Sequence, residues 1–426
     1  MVETVAFIMA GGRGKRMDLL CDVRPKPALP FAGRFRVIDF TLSNCVYSGI
    51  GDLAILTDYR RSQVAEYIRQ WSSAIAVRTC HVLEPKNGSY KGTADSVYQN
   101  LPYLQKVDTE NVLIVAGDHI YKMDYRRMLD FHRQANADVT VGVKRVPIEE
   151  AHRFGTVGTG ANGEILEFVE KTPRPRSNLA SMGIYVFNPD VLIRRLAEDA
   201  ARSDSLHDFG YAILPGMVGR DRMFAYEFDG YWQDIGTPGA YYAANMGLIS
   251  PQPAFSLNGT GSVLTGNPEL PPPDISATGK VVNSLISPGC VVKGRVENSV
   301  LSPGVWVSER AEVWNSVVMP GASVGYHSIV DTCIVDEDVN IGKLCYIGLG
   351  KCLPGDGDIT VLGKGVTVPD HTAIGHNCTI MPGVDASSFR RGLITPGSII
   401  SRCGIPPGAV ENKKVKEDER QSVTVA

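Results

Sequence analysis

Three segments of this chain open on Asn-Ser and carry a Pro-Gly or an equivalent turn a few residues later. They are NSLISPGCVVKG from residue 283, NSVLSPGVWVSE from 298 and NSVVMPGASVGY from 315, and the register recurs in DTCIVDEDVNIG from 331. Units of 15 to 17 residues with small or β-branched side chains every few positions fit the coils of a parallel β-helix, in which three hexapeptides make a coil of roughly 18 residues. A single unit cannot bury its own apolar face, whereas a stack of them can. The stretch ITVLGKGVTVPDHTAIGHNCTIMPG (359–383) continues the pattern, so a β-helix is expected over residues 276–385. Residues 386–426 then form a C-terminal extension whose last part, ENKKVKEDERQSVTVA, is charged, polar and expected to be loose.

The first 250 residues have a different texture. VAFIMA, LAILT (53–57) and VLIVAGD (112–118) are short apolar runs, and helical patterns such as DYRRSQVAEYIRQW and DYRRMLDFHRQA follow two of them. This alternation predicts an α/β domain over residues 1–250 with a mostly parallel, Rossmann-like sheet covered on both faces. Ligands of such sheets sit beyond the carboxyl ends of the strands. Residues 251–275 are rich in Pro, Gly, Ser and Asn and read as a linker.

Composition narrows the function. At 426 residues the chain is long enough for two to three domains, and its net charge of −3 offers no basic field for nucleic acid. No apolar run is long enough to span a bilayer, and the acid at Glu3 stands where a signal peptide would be basic, so a cytoplasmic protein without membrane contact is expected. The nine cysteines are an odd number without a CxxC pair, which predicts reduced, mostly buried thiols.

The stretch AFIMAGGRGKRM (6–17) drives an apolar strand into glycines and then into basic residues. Gly11, Gly12 and Gly14 would let backbone N–H groups approach a phosphate chain, although neither a Walker A loop nor GxGxxG is present. Arg13, Lys15, Arg16, Arg24 and Lys26 are close together in sequence, and Pro25 and Pro27 stiffen the backbone on either side of Lys26. A stiffened lysine beside a glycine loop suits a polyphosphate; a solvated surface loop is the plainer alternative. Asp118 ends an apolar strand, where a carboxylate faces the ligand crevice or simply caps a turn.

At this point the sequence resembles a known family. AGGRGKRM, RPKPALPFAGRFRVIDFTLSN, YKGTADSVYQN, VAGDHIYKMDY, FVEKT, ASMGIYVF and YWQDIGTPGAYYAAN, in that order and spread over residues 4 to about 345, resemble bacterial ADP-glucose pyrophosphorylase, that is, glucose-1-phosphate adenylyltransferase. The resemblance implies an N-terminal nucleotidyltransferase domain followed by a left-handed parallel β-helix. It implies ATP and glucose 1-phosphate as substrates, ADP-glucose and pyrophosphate as products, Mg²⁺ as cofactor and a homotetramer answering to sugar-phosphate or nucleotide effectors. It marks Asp118 and Asp234 as metal ligands, Arg16 and Lys26 as holders of the triphosphate, and Glu170 and Lys171 as contacts to the sugar phosphate. Ser181 and Gly155 would lie against the sugar, Gly11 and Gly12 against phosphate, and Tyr90, Gly92 and Thr93 beside the base and sugar.

Val23, Asp58 and Ser89 depart from the family pattern in loops that carry effector signals, which implies weaker or different effector control. Alternatives are a different nucleotide or sugar 1-phosphate, a non-catalytic regulatory paralogue, or an added acyltransfer activity in the β-helix. For acyltransfer, His327, His371 and His376 have no supporting motif, and Trp306 and Trp314 are expected to pack between coils or subunits.

Overall fold

The computed structural model describes residues 2–75, 77–86, 88–257, 262–350, 359–389 and 392–401. Residues 402–426 of the expected C-terminal extension lie outside this range.

The apolar runs of the first half pair side by side. Val2–Met9 lies between Asp52–Leu56 and Thr109–Ala116, parallel to both, and Thr79–Leu83 extends the sheet beyond Asp52–Leu56. On the other side Leu179–Phe187 runs antiparallel to Thr109–Ala116, followed by Val139–Arg145 and Met223–Glu227. Leu179–Phe187 and Ile165–Glu170 run against the other strands, so the sheet is mixed and mostly parallel. The central strands are buried on both faces, which is why Val5, Phe7, Ile8, Leu113, Ile114 and Val115 read as continuous apolar runs. Helices Val37–Tyr47, Arg61–Ala74 and Tyr125–Gln134 cover the faces. Asp124 caps the last of these, its carboxylate accepting from the Arg126 N–H at 3.1 Å.

The described part of segment 251–275 has no regular structure before its final two-residue strand, yet it packs firmly on the first domain. Phe255 stacks on Tyr231 with ring centroids 4.6 Å apart, and a side chain at Gly266 would collide with the Trp71 backbone at 2.5 Å.

From Asp274–Ile275 onward the chain winds into three parallel sheets, a left-handed β-helix. Register runs straight along each face, as in Val292, Val307, Val324, Ile341 and Val368, all buried. Strands Leu393–Ile394 and Ile399–Ile400 continue two faces beyond residue 385.

The repeated dipeptides now have physical causes. Asn283, Asn298 and Asn315 turn successive corners in the left-handed region at φ 42°, 46° and 45°, which asparagine tolerates better than most residues. The serine after each asparagine ties the coils together: the Ser299 N–H donates to Ser284 Oγ, Ser316 N–H to Ser299 Oγ and Cys333 N–H to Ser316 Oγ, each at 3.1 Å. Gly289, Gly304 and Gly321 take φ near +74°, the third position of a Pro-Gly turn. His327 and His371 also occupy left-handed corners. Trp306 lies on the outside, 42% exposed, with the Lys293 ammonium 5.0 Å from its ring centre.

Asn298→Val is expected to destabilise the protein by about 1–3 kcal/mol, because a β-branched side chain is strained at positive φ; Asn298→Gly should cost much less. The shift in urea midpoint measures both.

Candidate active site

Four parallel strands end at one rim. Beyond Met9 the chain enters the glycine loop, beyond Leu56 it reaches Asp58, and beyond Ala116 it reaches Asp118. The rim is stitched by backbone bonds: Ala10 N–H to Leu56 O at 2.9 Å and Gly117 N–H to Met9 O at 3.0 Å. Gly14 sits at φ 63°, and a Cβ there would press on Cys21 Sγ and Lys26 Cβ at 3.1 and 3.2 Å, so the loop passes directly over the lysine.

Two adjoining cavities open here. The first, about 350 Å³, is lined by Gly11, Gly12, Asp58, Tyr90, Gly92, Thr93, Asp118 and Asp208. Gly12 borders open space, whereas a side chain at Gly92 would collide with the carbonyl of His207 at 2.3 Å. Tyr90 is held by its N–H on Asp58 and by Asn100, which donates to its hydroxyl at 3.0 Å. The second cavity, about 280 Å³, is lined by Arg16, Lys26, Asp118, His119, Gly155, Glu170, Lys171, Ser181, Asp208 and Asp234. Thr93, Asp118 and Asp208 belong to both walls. In the second cavity Lys171 Nζ pairs with Glu170 Oε1 at 3.0 Å. A Cβ on Gly155 or on Gly210 would meet Glu170 Oε2 at 2.4 Å, so both glycines make room for that carboxylate.

Where the cavities meet, charge is concentrated. Strand Trp232–Asp234 pairs antiparallel with His119–Tyr121, setting Asp234 opposite His119 and bringing its carboxylate next to Asp118. Lys26, in a 3₁₀ turn (Lys26–Ala28) after Pro25, reaches both: its Nζ is 3.1 Å from Asp118 Oδ2 and 2.9 Å from Asp234 Oδ1. Arg16 Nη2 lies 3.5 Å from Asp234 Oδ2, and His119 Nε2 lies 3.6 Å from Asp118 Oδ1. Burial works against each carboxylate's charge, but Lys26, then His119, outweighs it at both, with Arg16 adding at Asp234, so both stay below the usual carboxylate range. Burial also opposes the charge on Lys26, and the two aspartates more than restore it.

The basic cluster of the sequence divides. Arg13 stacks against Tyr59 at 5.1 Å. Arg24 turns away from the cavities altogether, because buried carboxylates of the β-helix claim it. Its guanidinium donates to Asp336 at 2.8 and 3.1 Å and to Glu337 at 3.1 Å, with Leu20 O at 3.2 Å completing the set. Glu337 also accepts from Lys364 Nζ at 2.8 Å.

The sequence model of the family described as nucleotidyl transferase matches residues 5–250, and that of the GlmU-like, C-terminal hexapeptide family matches residues 273–353. A glucose-1-phosphate adenylyltransferase of Acetivibrio thermocellus is 42% identical over 404 residues, 91% of this chain and 95% of the relative. One of Thermomicrobium roseum is 40% identical, covering 94% and 98%, and one of Bacillus cereus is 44% identical, covering 80% and 93%. The chain belongs to the glucose-1-phosphate adenylyltransferase family.

For a member of this family the site also contains residues that sequence reasoning passed over. His119 follows Asp118 directly and edges onto Trp232 with ring centres 5.3 Å apart. Asp208 accepts from Thr93 Oγ1 at 2.8 Å and from the N–H groups of Gly210 and Tyr211, which fixes the wall common to both cavities. The signal for Asp208 was an aspartate placed to cap the turn at Phe209. Asp58, singled out only as a departure, supports the Tyr90 loop.

Arg24→Met strands the buried Asp336, while Glu337 keeps Lys364, and is expected to cost about 3–5 kcal/mol, with Arg24→Met/Asp336→Asn recovering part of it. Chemical denaturation of the three proteins checks this.

Proposed function

We propose that this protein transfers the adenylyl group of ATP to glucose 1-phosphate, releasing pyrophosphate and supplying ADP-glucose for glycogen or another α-glucan. The observation that carries the reading is the pair of adjoining cavities meeting at Lys26, Asp118 and Asp234. Two polyanionic substrates need such a meeting point, because positioning and charge neutralisation are most of what phosphoryl-type transfer requires.

ATP is assigned to the first cavity. The backbone of Gly11 and Gly12 lies along its phosphates, and Tyr90, Gly92 and Thr93 flank base and ribose. Glucose 1-phosphate is assigned to the second, with Lys171 on the phosphate, the Glu170 carboxylate accepting from sugar hydroxyls, and Gly155 and Ser181 against the ring. A phosphate oxygen of the sugar attacks the α-phosphorus in line. A new P–O bond forms, the α–β anhydride bond breaks, and the electron pair leaves with pyrophosphate. Arg16 and Lys26 stabilise the negative charge that gathers on the leaving group.

Asp118 and Asp234 suit a magnesium ion. Both carboxylates reach the same point, as their contacts to one nitrogen show, and hard oxygen donors in pairs complemented by substrate phosphates are what Mg²⁺ takes. When bound, the ion would neutralise phosphate charge and align the triphosphate.

Assembly and control belong to the same proposal. The homotetramer is taken from the family resemblance, and exposed Trp306, Tyr326 and Leu344 on the β-helix offer apolar surface for contact between copies. A cleft of about 390 Å³ is lined by Arg36, Gln63 and Lys364 together with Glu66 and Glu337, and effector control rests on the family resemblance rather than on this mixed-charge lining. Among the described residues no helix is long and apolar enough to cross a membrane, and the seven described cysteines are free thiols, which suits a cytoplasmic enzyme.

Pyrophosphate release measured across ATP, UTP, dTTP and GTP with several sugar 1-phosphates tests the assignment; turnover confined to another pair, or none at all, would replace it. With the preferred pair, Lys26→Ala is expected to lower kcat by about 10²–10³ with the fold intact, as steady-state kinetics and circular dichroism will show.

A further inference from the structure

The two aspartates assigned to the metal already have cations. Asp118 Oδ2 and Asp234 Oδ1 both contact Lys26 Nζ, at 3.1 and 2.9 Å. Asp234 Oδ2 faces Arg16 at 3.5 Å, and Asp118 Oδ1 faces His119 Nε2 at 3.6 Å. Each of the four carboxylate oxygens therefore has a positive or hydrogen-bonding neighbour. A magnesium ion on these oxygens would sit about 2.1 Å from them. An ammonium still about 3 Å from the same atoms would then lie within roughly 4 Å of the ion, a close approach of like charges in a poorly solvated pocket. A divalent ion on Asp118 Oδ2 and Asp234 Oδ1 would therefore compete with Lys26 for them.

We infer that Lys26 is the resting counter-ion of the Asp118–Asp234 pair and is exchanged for the divalent cation only when a triphosphate arrives to receive it. The exchange conserves charge: one doubly charged ion replaces Lys26 and Arg16 on the carboxylates, and the two released side chains move to the phosphates. The geometry permits it. Lys26 is fixed at its backbone between Pro25 and Pro27, so its four-carbon stem supplies the movement, while the Arg16 side chain is 56% exposed and held by one long contact. Metal and nucleotide then bind cooperatively, each raising the affinity of the other by the same factor. This inference rests on the metal reading given above and adds a role for Lys26 before any chemistry begins.

The test is Mn²⁺ binding to the nucleotide-free protein, followed by titration calorimetry and by the electron paramagnetic resonance signal of free Mn²⁺. Lys26→Met is expected to bind Mn²⁺ at least tenfold more tightly than the unmodified protein, Lys26→Arg to stay close to the unmodified value, and Lys26→Met/Asp118→Asn to lose the gain. A folded Lys26→Met protein that binds Mn²⁺ no more tightly overturns the exchange while leaving the metal reading standing. Absence of Mn²⁺ binding in every variant, with and without a non-hydrolysable ATP analogue, removes both. Should Lys26→Met not fold, the ¹⁵Nζ resonance of Lys26 in the unmodified protein decides. It should hold its position in millimolar Mg²⁺ alone and shift when the ATP analogue is added; a shift with Mg²⁺ alone overturns the inference.

Discussion

Two buried cations only two positions apart organise this molecule. Arg24 points into the β-helix, where Asp336 and Glu337 hold it, and Lys26 points into the cleft, where Asp118 and Asp234 hold it. Pro25 stands between them and limits the backbone to one course. A buried charge without a partner is costly, so neither side chain can settle until distant parts of the chain have delivered their carboxylates. The stretch 24–26 thus ties together the β-helix, the strand-end rim and the ribbon bearing Asp234. The core around it reflects this: Phe31 and Tyr241 of the first domain pack in one cluster with Val317, Met319 and Ile334 of the second.

The carboxylates meet through a device separate from the large sheet. A short ribbon, His119–Tyr121 against Trp232–Asp234, joins residues more than a hundred positions apart and places Asp118 and Asp234 on either side of one nitrogen. Glycines then provide the space around the charged groups. Gly236 is pressed against Arg16 and Asp234, Gly155 and Gly210 against Glu170, and Gly92 against His207. At each of these a methyl group would displace a charged side chain or a backbone carbonyl, so their presence reflects close approach rather than a flexible turn.

Much of this was legible in the chain because its cause is local. The coil repeat could be read from NS and PG, since three successive left-handed corners take asparagine and three turns take glycine, and the serine after each asparagine ties its coil to the next; the later corners at His327, Thr332 and His371 carry no such mark. The parallel strands could be read because burial on both faces removes polar residues from them. What could not be read depends on partners far away. Arg24 looked like a member of the phosphate loop, and only the pairing with Asp336, 312 positions on, takes it elsewhere. Asp208 carries no motif of its own, and His119, though inside VAGDHIYKMDY, shows its place only through facing groups that sequence distance conceals. The motifs quoted for family resemblance did locate a coherent region, since the residues they marked line the two adjoining cavities.

The arrangement also bears on why a site for two polyanions is not simply a basic pocket. An excess of free cations would hold phosphate tightly in the ground state, and binding substrate and transition state equally well does not raise the rate of the chemical step. Here Lys26 is paired with carboxylates of the same site, and Glu170 with Lys171 repeats the pattern in the second cavity at 3.0 Å. Each cavity thus presents a lysine whose charge is balanced until a ligand rearranges it. Under the proposed assignment, contacts to phosphate would be made by exchanging partners rather than by filling an unpaired positive field, which would moderate the free energy of ground-state binding. The same pairing keeps Lys26 protonated in a buried position where desolvation alone would favour its neutral form, so the aspartates that restrain the lysine also preserve the charge that makes it useful.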